Sequence, residues 1–275
     1  MKNFHKKTID SFGDQWAEFD QSHMPSREAR KIFNKYFSMF PWKKLPKNPE
    51  GFDMGCGSGR WAKFVAPKVS ILNCIDPSKS LDVAKVKLKN FKNINFHKAS
   101  LDNVDLKENS QDFGYSLGVL HHVPDTQAAI KSCARLLKSG SPLLLYLYYS
   151  FDNRSWLYIL IWKFSNTLRK FISIFPSKIK TLITDFISII IYYPLARTSK
   201  ILDKLNINVR EIPLSFYKDK SLYTMRTDCR DRFGTILESR FSKSEIKKMM
   251  ENSGLSKIKF SKNDPYWCAI GYKKK

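Results

Sequence analysis

Two textures alternate along the chain. Residues 51–150 are short apolar runs separated by helical stretches, and long amphipathic stretches follow them. Ser70–Ile75 predicts a strand, and Lys79–Asn90 the helix after it. Phe113–Leu117 predicts a further strand and Thr126–Lys138 a helix, and Pro142–Tyr149 is a continuous apolar run of strand length. Runs without polar alternation are usually covered on both faces, which points to a parallel sheet of βαβ units. Ser242-Lys243-Ser244-Glu245 is a capping box opening a helix that stops at Gly254. Strands over Ser256–Lys262 and Tyr266–Lys273 then close a mostly parallel sheet with an antiparallel pair.

The flanking segments read differently. Residues 1–50 carry a helix around Ser26–Phe40 and a linker punctuated by Pro41, Pro46 and Pro49. Helices are predicted over Trp156–Phe175 and Ile179–Leu205, separated by Pro176, with a kink at Pro194. In the second, Ile179, Leu182, Ile183, Phe186, Ile187 and Ile190 form one stripe; Lys180, Thr181, Thr184, Asp185 and Ser188 occupy the other side. Such stripes either bury each other in a helical hairpin or dock on a membrane surface. The longest uncharged apolar stretch, Phe186–Ala196, is far shorter than the roughly 20 residues that span a bilayer, so no transmembrane helix is expected. Four regions result: an N-terminal cap and linker (1–50), a core (51–150), a helical lid insertion (151–241) and a C-terminal completion of the core (242–275).

Charge and cysteines adjust this picture only slightly. A net charge of +23, from 48 Lys and Arg against 25 Asp and Glu, raises nucleic acid, anionic membrane and acidic small molecules as partners. Lysines spread as a solvated coat account for it equally, since no run of five basic residues occurs. Five cysteines without paired spacing fit a reducing, cytoplasmic setting and suggest neither a metal site nor a disulfide framework. The segment Met1–Lys7 lacks the apolar core of a secretory signal.

The chemistry concentrates in Phe52-Asp53-Met54-Gly55-Cys56-Gly57-Ser58-Gly59. A glycine loop between strand and helix brings backbone N–H groups close to a nucleotide-like ligand. The dinucleotide fingerprint requires a third glycine where Arg60 stands, which disfavours a nicotinamide-dependent oxidoreductase. Asp53, two residues before the first glycine, would repel a phosphate and attract a ligand carrying ammonium and sulfonium groups. Asp76, 19 residues beyond Gly57, is placed to accept both ribose hydroxyls, or merely to cap the next helix through Asp76-Pro77-Ser78.

These residues resemble motif I and the second motif of class I S-adenosylmethionine-dependent methyltransferases. Ser110–Phe113 with Leu117–Asp125 resembles that family's fourth-strand region, and Leu136–Ser141 its turn before the fifth strand. The likeness covers about residues 50–150 and is nearest to the type 11 branch, which includes quinone-biosynthesis and other small-molecule methyltransferases. It implies an α/β, Rossmann-like, seven-stranded, mostly parallel sheet with an antiparallel last strand, here with a helical lid insertion. It also implies S-adenosyl-L-methionine as cofactor, held by Asp53, Gly55, Cys56, Gly57, Gly59, Asp76, Pro77, Ser100, Leu101 and Leu117. Ser100 stands where the family often has an acid for the adenine amino group, so that contact falls to its hydroxyl or shifts to Asp102. Phe12-Gly13-Asp14-Gln15-Trp16 resembles the segment that covers the cofactor in such enzymes, with Trp16 as the covering ring; the other reading is an aromatic helix packing on the domain.

His122 and His121 follow the fourth strand and are the candidate general bases, against a purely structural role. Tyr146, Tyr148 and Tyr149 leave the fifth strand toward the same mouth. The expected substrate is a small, partly apolar or acidic metabolite, with peripheral membrane contact through the lid. Arg226, Asp228, Arg230, Asp231 and Arg232 bind an acidic acceptor or pair among themselves. Nucleic acid is disfavoured, because the place of the base-methylating motif holds Ser116-Leu117-Gly118-Val119. A non-catalytic S-adenosylmethionine-binding protein is the rival from another class.

Overall fold

The computed structural model describes residues 3–152 and 154–275, so Met1 and Lys2 of the N-terminal segment lie outside the described residues. Its strands are β1 (Glu50–Met54), β2 (Ile71–Ile75), β3 (Ile94–His97), β4 (Phe113–Leu117), β5 (Pro142–Tyr146), β6 (Leu255–Phe260) and β7 (Cys268–Lys273). Its helices are α1 (Lys6–Glu18), α2 (Ser26–Tyr36), α3 (Ala62–Val65), α4 (Ser80–Lys87), α5 (Thr126–Leu136), α6 (Trp156–Ile172), α7 (Ser177–Ile187), α8 (Tyr193–Lys204), α9 (Leu222–Gly234) and α10 (Lys243–Asn252). Two compact units are formed. The first comprises Met1–Asp20, Arg30–Ser150 and Leu237–Lys275; the second comprises Gln21–Ala29 and Phe151–Ile236.

The first unit is a seven-stranded sheet in the order β3-β2-β1-β4-β5-β7-β6. Strands β1 to β5 run parallel, and β7 lies antiparallel to both β5 and β6. The sheet grows outward from β1 through β2 to β3, then crosses to β4. Open α/β sheets bind ligands beyond the strands' carboxyl ends at such a reversal. The register there sets Asp53 of β1 beside Tyr115 of β4 and Cys74 of β2.

The apolar runs form strands because both their faces are covered: all but the first residue of β1 and β2 are buried. Met54, Leu120, Ile130, Leu136, Leu143, Leu145 and Ile246 belong to the main core cluster. Aromatic rings pack elsewhere in this unit, with Phe33 on Phe37 at 4.4 Å, Phe37 on Tyr115 at 5.2 Å and Phe40 on Phe113 at 5.8 Å. Each such buried side chain contributes about 1.5–3 kcal/mol relative to exposure. The Ser242–Glu245 capping box is present in both directions at the start of α10. Asp125 likewise caps α5, accepting from the Ala128 amide at 2.9 Å.

Three sequence expectations change here. Strand β5 stops at Tyr146; Tyr148 and Ser150 instead pair their backbones with Phe241 at 2.9 and 3.0 Å. Leu237–Phe241, expected in the insertion, thus belongs to the first unit, and the insertion ends at Ile236. Gln21–Ala29, expected in the N-terminal cap, falls in the second unit.

In the second unit, α6 and α7 both pack on α9. Residues Ser177–Lys204 form one continuous 28-residue helical run, long and apolar enough by length and composition to cross a membrane. The sequence expectation to the contrary stopped counting at Asp185 and Arg197, charges that the helix carries beside its apolar stripe. No break occurs at Pro194. A π-helical turn over Ser188–Tyr192 precedes it, and such a turn absorbs the i→i−4 hydrogen bond that proline cannot donate.

The stripe also faces the other way from a buried hairpin. Ile179, Leu182, Phe186 and Ile190 are exposed, while Lys180, Thr184 and Ser188 are buried. Lys180 Nζ donates to the Gly234 carbonyl at 3.1 Å, and Arg169 Nη1 to the Thr235 carbonyl at 2.7 Å. Arg226 forms a two-pronged pair with Asp185 at 2.7 and 2.5 Å, and Arg230 Nη2 donates to Ser177 Oγ at 3.1 Å. Arg226 and Arg230 of the α9 cluster are thus bound to α7 within this unit.

Candidate active site

The loop after β1 is fixed by its own backbone. The Gly55 and Cys56 amides donate to the Ile75 carbonyl at 2.8 and 3.1 Å, and the Gly59 amide to the Cys56 carbonyl at 2.9 Å. Gly55, Gly57 and Gly59 all take the left-handed backbone, with φ of 78°, 53° and 74°, which costs a residue with a Cβ roughly 1–2 kcal/mol. Their surroundings separate their roles. A Cβ on Gly59 would stand 2.6 Å from Leu88 Cδ1, so that glycine serves close packing of the loop against the end of α4. A Cβ on Gly55 would strike Val119 at 2.4 Å. On Gly57 it would meet the Trp16 indole at 3.5 Å, so that glycine lies directly beneath Trp16.

Asp76 closes the other side. Its Oδ2 accepts the Gly57 amide at 2.9 Å, and its Oδ1 accepts the Ser78 amide at 2.9 Å and the Ser78 hydroxyl at 2.7 Å. The carboxylate thus ties the tip of the β1 loop to the turn after β2, with Pro77 between Asp76 and Ser78. The capping alternative is half right: Asp76 orders the turn but caps no helix, since α4 begins at Ser80. Carboxylate oxygens keep further lone pairs after these bonds.

Asp53 is buried and accepts the Tyr115 hydroxyl at 2.9 Å. Burial pushes its carboxyl up to about 8, with the neighbouring Asp76 carboxylate adding to the rise and the Tyr115 hydrogen bond opposing it. A cation beside Asp53 would offset that burial. Cys56 is buried, and its hydrogen bond with Cys74 together with burial holds its thiol far above the usual range. Ser58 is buried, and its hydroxyl has no hydrogen-bond partner among the described residues.

Helix α1 covers this ground. Trp16 stands over Gly57, Asp14 pairs with Lys79 at 2.5 Å, and the Phe12 ring lies 4.8 Å from that of His122. Both readings of the Phe12–Trp16 segment meet here, because the helix packs on the domain through the face that covers the loop.

His121 and His122 lie on a short 3-10 turn, Leu120–His122, after β4. His122 Nδ1 donates to the Leu237 carbonyl at 2.7 Å. That bond selects the tautomer with Nε2 as a proton acceptor. His121 is fully buried and stacks on Tyr148 at 3.8 Å, and neither of its ring nitrogens has a hydrogen-bond partner among the described residues. Burial, with His122 and Arg240 nearby, keeps it neutral far below the usual histidine range. Aromatic contacts run on from Tyr148 to Tyr146 at 5.9 Å, Tyr36 at 5.1 Å and Trp61 at 5.4 Å.

The adenine-side residues are less available than the sequence suggests. The Ser100 hydroxyl and amide both donate to Asn103 Oδ1, at 2.8 and 2.7 Å, closing a local turn. Asp102 Oδ2 accepts the Asn3 amide at 2.9 Å. Leu101 is buried in the main core cluster, and Leu117 ends β4. The segment Leu237–Phe241, which the sequence does not single out, orients His122 and also donates to His121: the Ser239 amide donates to the His121 carbonyl at 2.8 Å. Within it Arg240 pairs with the buried Glu238 at 2.9 Å and lies over the Tyr148 ring at 4.9 Å. No local motif marks this segment.

Comparison with known proteins agrees with this geometry. Residues 52–145 match a family model described as a methyltransferase domain. A ubiquinone biosynthesis O-methyltransferase of Xanthomonas axonopodis is 28% identical over 149 residues, 52% of this chain and 61% of that protein. Its counterpart from Coxiella burnetii is 34% identical over 99 residues, 35% of this chain and 42% of that protein. The chain thus matches less than two thirds of these relatives' lengths. In fold it resembles S-adenosylmethionine-dependent methyltransferases of Thermotoga maritima and Aquifex aeolicus. The first has a TM-score of 0.52 at 15% identity, covering 96% of this chain and 98% of that one. The second has a TM-score of 0.50 at 12% identity, covering 93% and 96%. The residues present fit the cofactor: a glycine loop passing beneath Trp16, a buried carboxyl at Asp53 whose ionised form a cation would favour, and an acid, Asp76, directly after β2. The segment from residue 52 to residue 145 is a class I S-adenosylmethionine-dependent methyltransferase domain.

Proposed function

We propose that the chain transfers the methyl group of S-adenosylmethionine to an oxygen of a small, partly apolar acceptor. The bound cofactor supplies a methyl carbon already made electrophilic by its sulfonium. Asp53 would hold the ammonium group, the loop at Gly57 the amino-acid chain, and Asp76 the ribose hydroxyls. Cys56, Gly55, Gly59 and Pro77 shape these contacts, and Ser100, Leu101 and Leu117 border the adenine and methyl ends.

One observation carries the proposal of catalysis: the His122 tautomer fixed by Leu237. With Nδ1–H engaged, Nε2 can take the acceptor's hydroxyl proton as the new O–CH3 bond forms and the S–CH3 bond breaks. Most of the acceleration comes from positioning. His121, buried and neutral, orients the site through its stack on Tyr148. The row of Tyr148, Tyr146 and Tyr36 supports an aromatic or otherwise apolar acceptor, and the relatives' naming as ubiquinone biosynthesis O-methyltransferases supports oxygen as the atom methylated. In this proposal the enzyme works in the cytoplasm with peripheral membrane contact.

Incubating the purified chain with methyl-labelled S-adenosylmethionine and a metabolite extract tests this. A labelled O-methyl product in an apolar fraction is expected. Cofactor binding without any labelled product would leave a non-catalytic binding protein.

A further inference from the structure

The second unit has a small apolar core of Ile172, Tyr192, Ala196, Met225, Cys229 and Phe233, beside which the polar Arg169, Lys180, Thr184, Ser188, Ser199, Thr227 and Arg230 are also buried. Its exterior carries Trp156, Leu160, Phe164, Leu168 and Phe171 on α6, and Ile179, Leu182, Phe186, Ile189 and Tyr193 along the continuous run Ser177–Lys204, each at least 43% exposed. The spacings of three and four residues make these two continuous helical stripes. Monomeric proteins in water rarely leave apolar surface of this extent uncovered.

We propose that these stripes are a bilayer-docking surface, seated in the plane of an anionic membrane rather than across it. Spanning is disfavoured because the inner side of α7 is bound to α9, whose Arg226, Asp228, Arg230, Asp231 and Arg232 would have to enter the hydrocarbon with it. A one-sided apolar face suits insertion to the boundary between headgroups and acyl chains. Exposed Trp156 and Tyr193 are the residue types that favour this depth. Exposed Lys163, Lys170, Lys178, Lys204 and Arg210 accompany the stripes.

Charge decides between lipid and a second copy of the chain. Residues 151–236 hold fifteen Lys and Arg against seven Asp and Glu. Self-association through this face would bring two cationic rims together, whereas anionic headgroups neutralise one.

Flotation with vesicles of phosphatidylcholine and phosphatidylglycerol tests the proposal, using the full chain and the double variant Leu182→Glu/Phe186→Glu. Both positions are exposed, so the variant keeps its fold, which circular dichroism checks. The wild type is expected to float with mixed vesicles, less with phosphatidylcholine alone, and the variant at least about tenfold less. Three results would overturn the proposal: wild type left at the bottom with mixed vesicles, a folded variant floating equally well, or a wild-type dimer in solution that the variant converts to monomer.

Discussion

Asp53 accepts the phenolic hydrogen of Tyr115 at 2.9 Å, where the strand order of the sheet reverses. The contact holds a buried carboxyl whose folded-state pKa is about 8 against an ordinary 3.8. The unfolded chain loses this proton near pH 4 and the folded protein keeps it to about pH 8. Stability contributed by the protonated group is therefore fully present below about pH 4 and is lost as pH rises toward 8. Urea unfolding of the cofactor-free protein should show stability declining between pH 5 and 8, more shallowly in Asp53→Asn. Equal pH slopes in the two proteins would contradict the assignment.

The same carboxyl links binding to protons. An ammonium group beside Asp53 favours its ionised form, so cofactor binding at pH 7 should release a proton. Calorimetric heats should then differ between buffers of different ionisation enthalpy, and Asp53→Asn should remove most of that difference.

Gly57→Val places a β-branched residue at a φ of 53° and beneath Trp16. It should cost roughly 1–2 kcal/mol or more of stability and abolish cofactor binding. Melting and titration on one sample check both. A folded variant of undiminished affinity would remove Gly57 from the site.

Asp76→Ala leaves the Gly57 amide and the Ser78 turn without their acceptor. A loss of about 1–3 kcal/mol in stability is expected, with a larger loss in cofactor affinity than Asp76→Asn shows, because the amide oxygen still accepts one bond. Equal effects of the two substitutions on affinity would show that only charge matters there.

His122 and His121 should separate. His122→Ala is expected to lower kcat roughly 10²–10⁴-fold, with little change in cofactor affinity. His121→Phe keeps an aromatic ring against Tyr148 and should retain most activity. The reverse ranking, measured from initial rates, would move the base to His121.

Much of the first unit was legible because its local and long-range signals agree. Phe113–Leu117 is apolar, bounded and buried on both faces, and β4 has those limits. Ser242 and Glu245 are three residues apart, and that spacing alone builds the cap of α10. Asp53 and Asp76 were found because each ends a recognisable strand beside the glycine loop. The second unit was harder to read. Periodicity identified the stripe of Ile179, Leu182 and Phe186 but carries no sign for inside or outside. Contacts with α9 fix it: Lys180 Nζ donates to the Gly234 carbonyl and Cys229 Sγ to the Thr184 carbonyl. Leu237 was missed for a related reason: its contribution to His122 is a backbone carbonyl, which any residue supplies.

The most direct test of the cofactor site is titration of the purified chain with S-adenosylmethionine by calorimetry, alongside Asp76→Ala. The account predicts saturable one-to-one binding to the wild type and a loss of at least about tenfold in the variant. A folded wild type without saturable binding, or a variant of equal affinity, would contradict it.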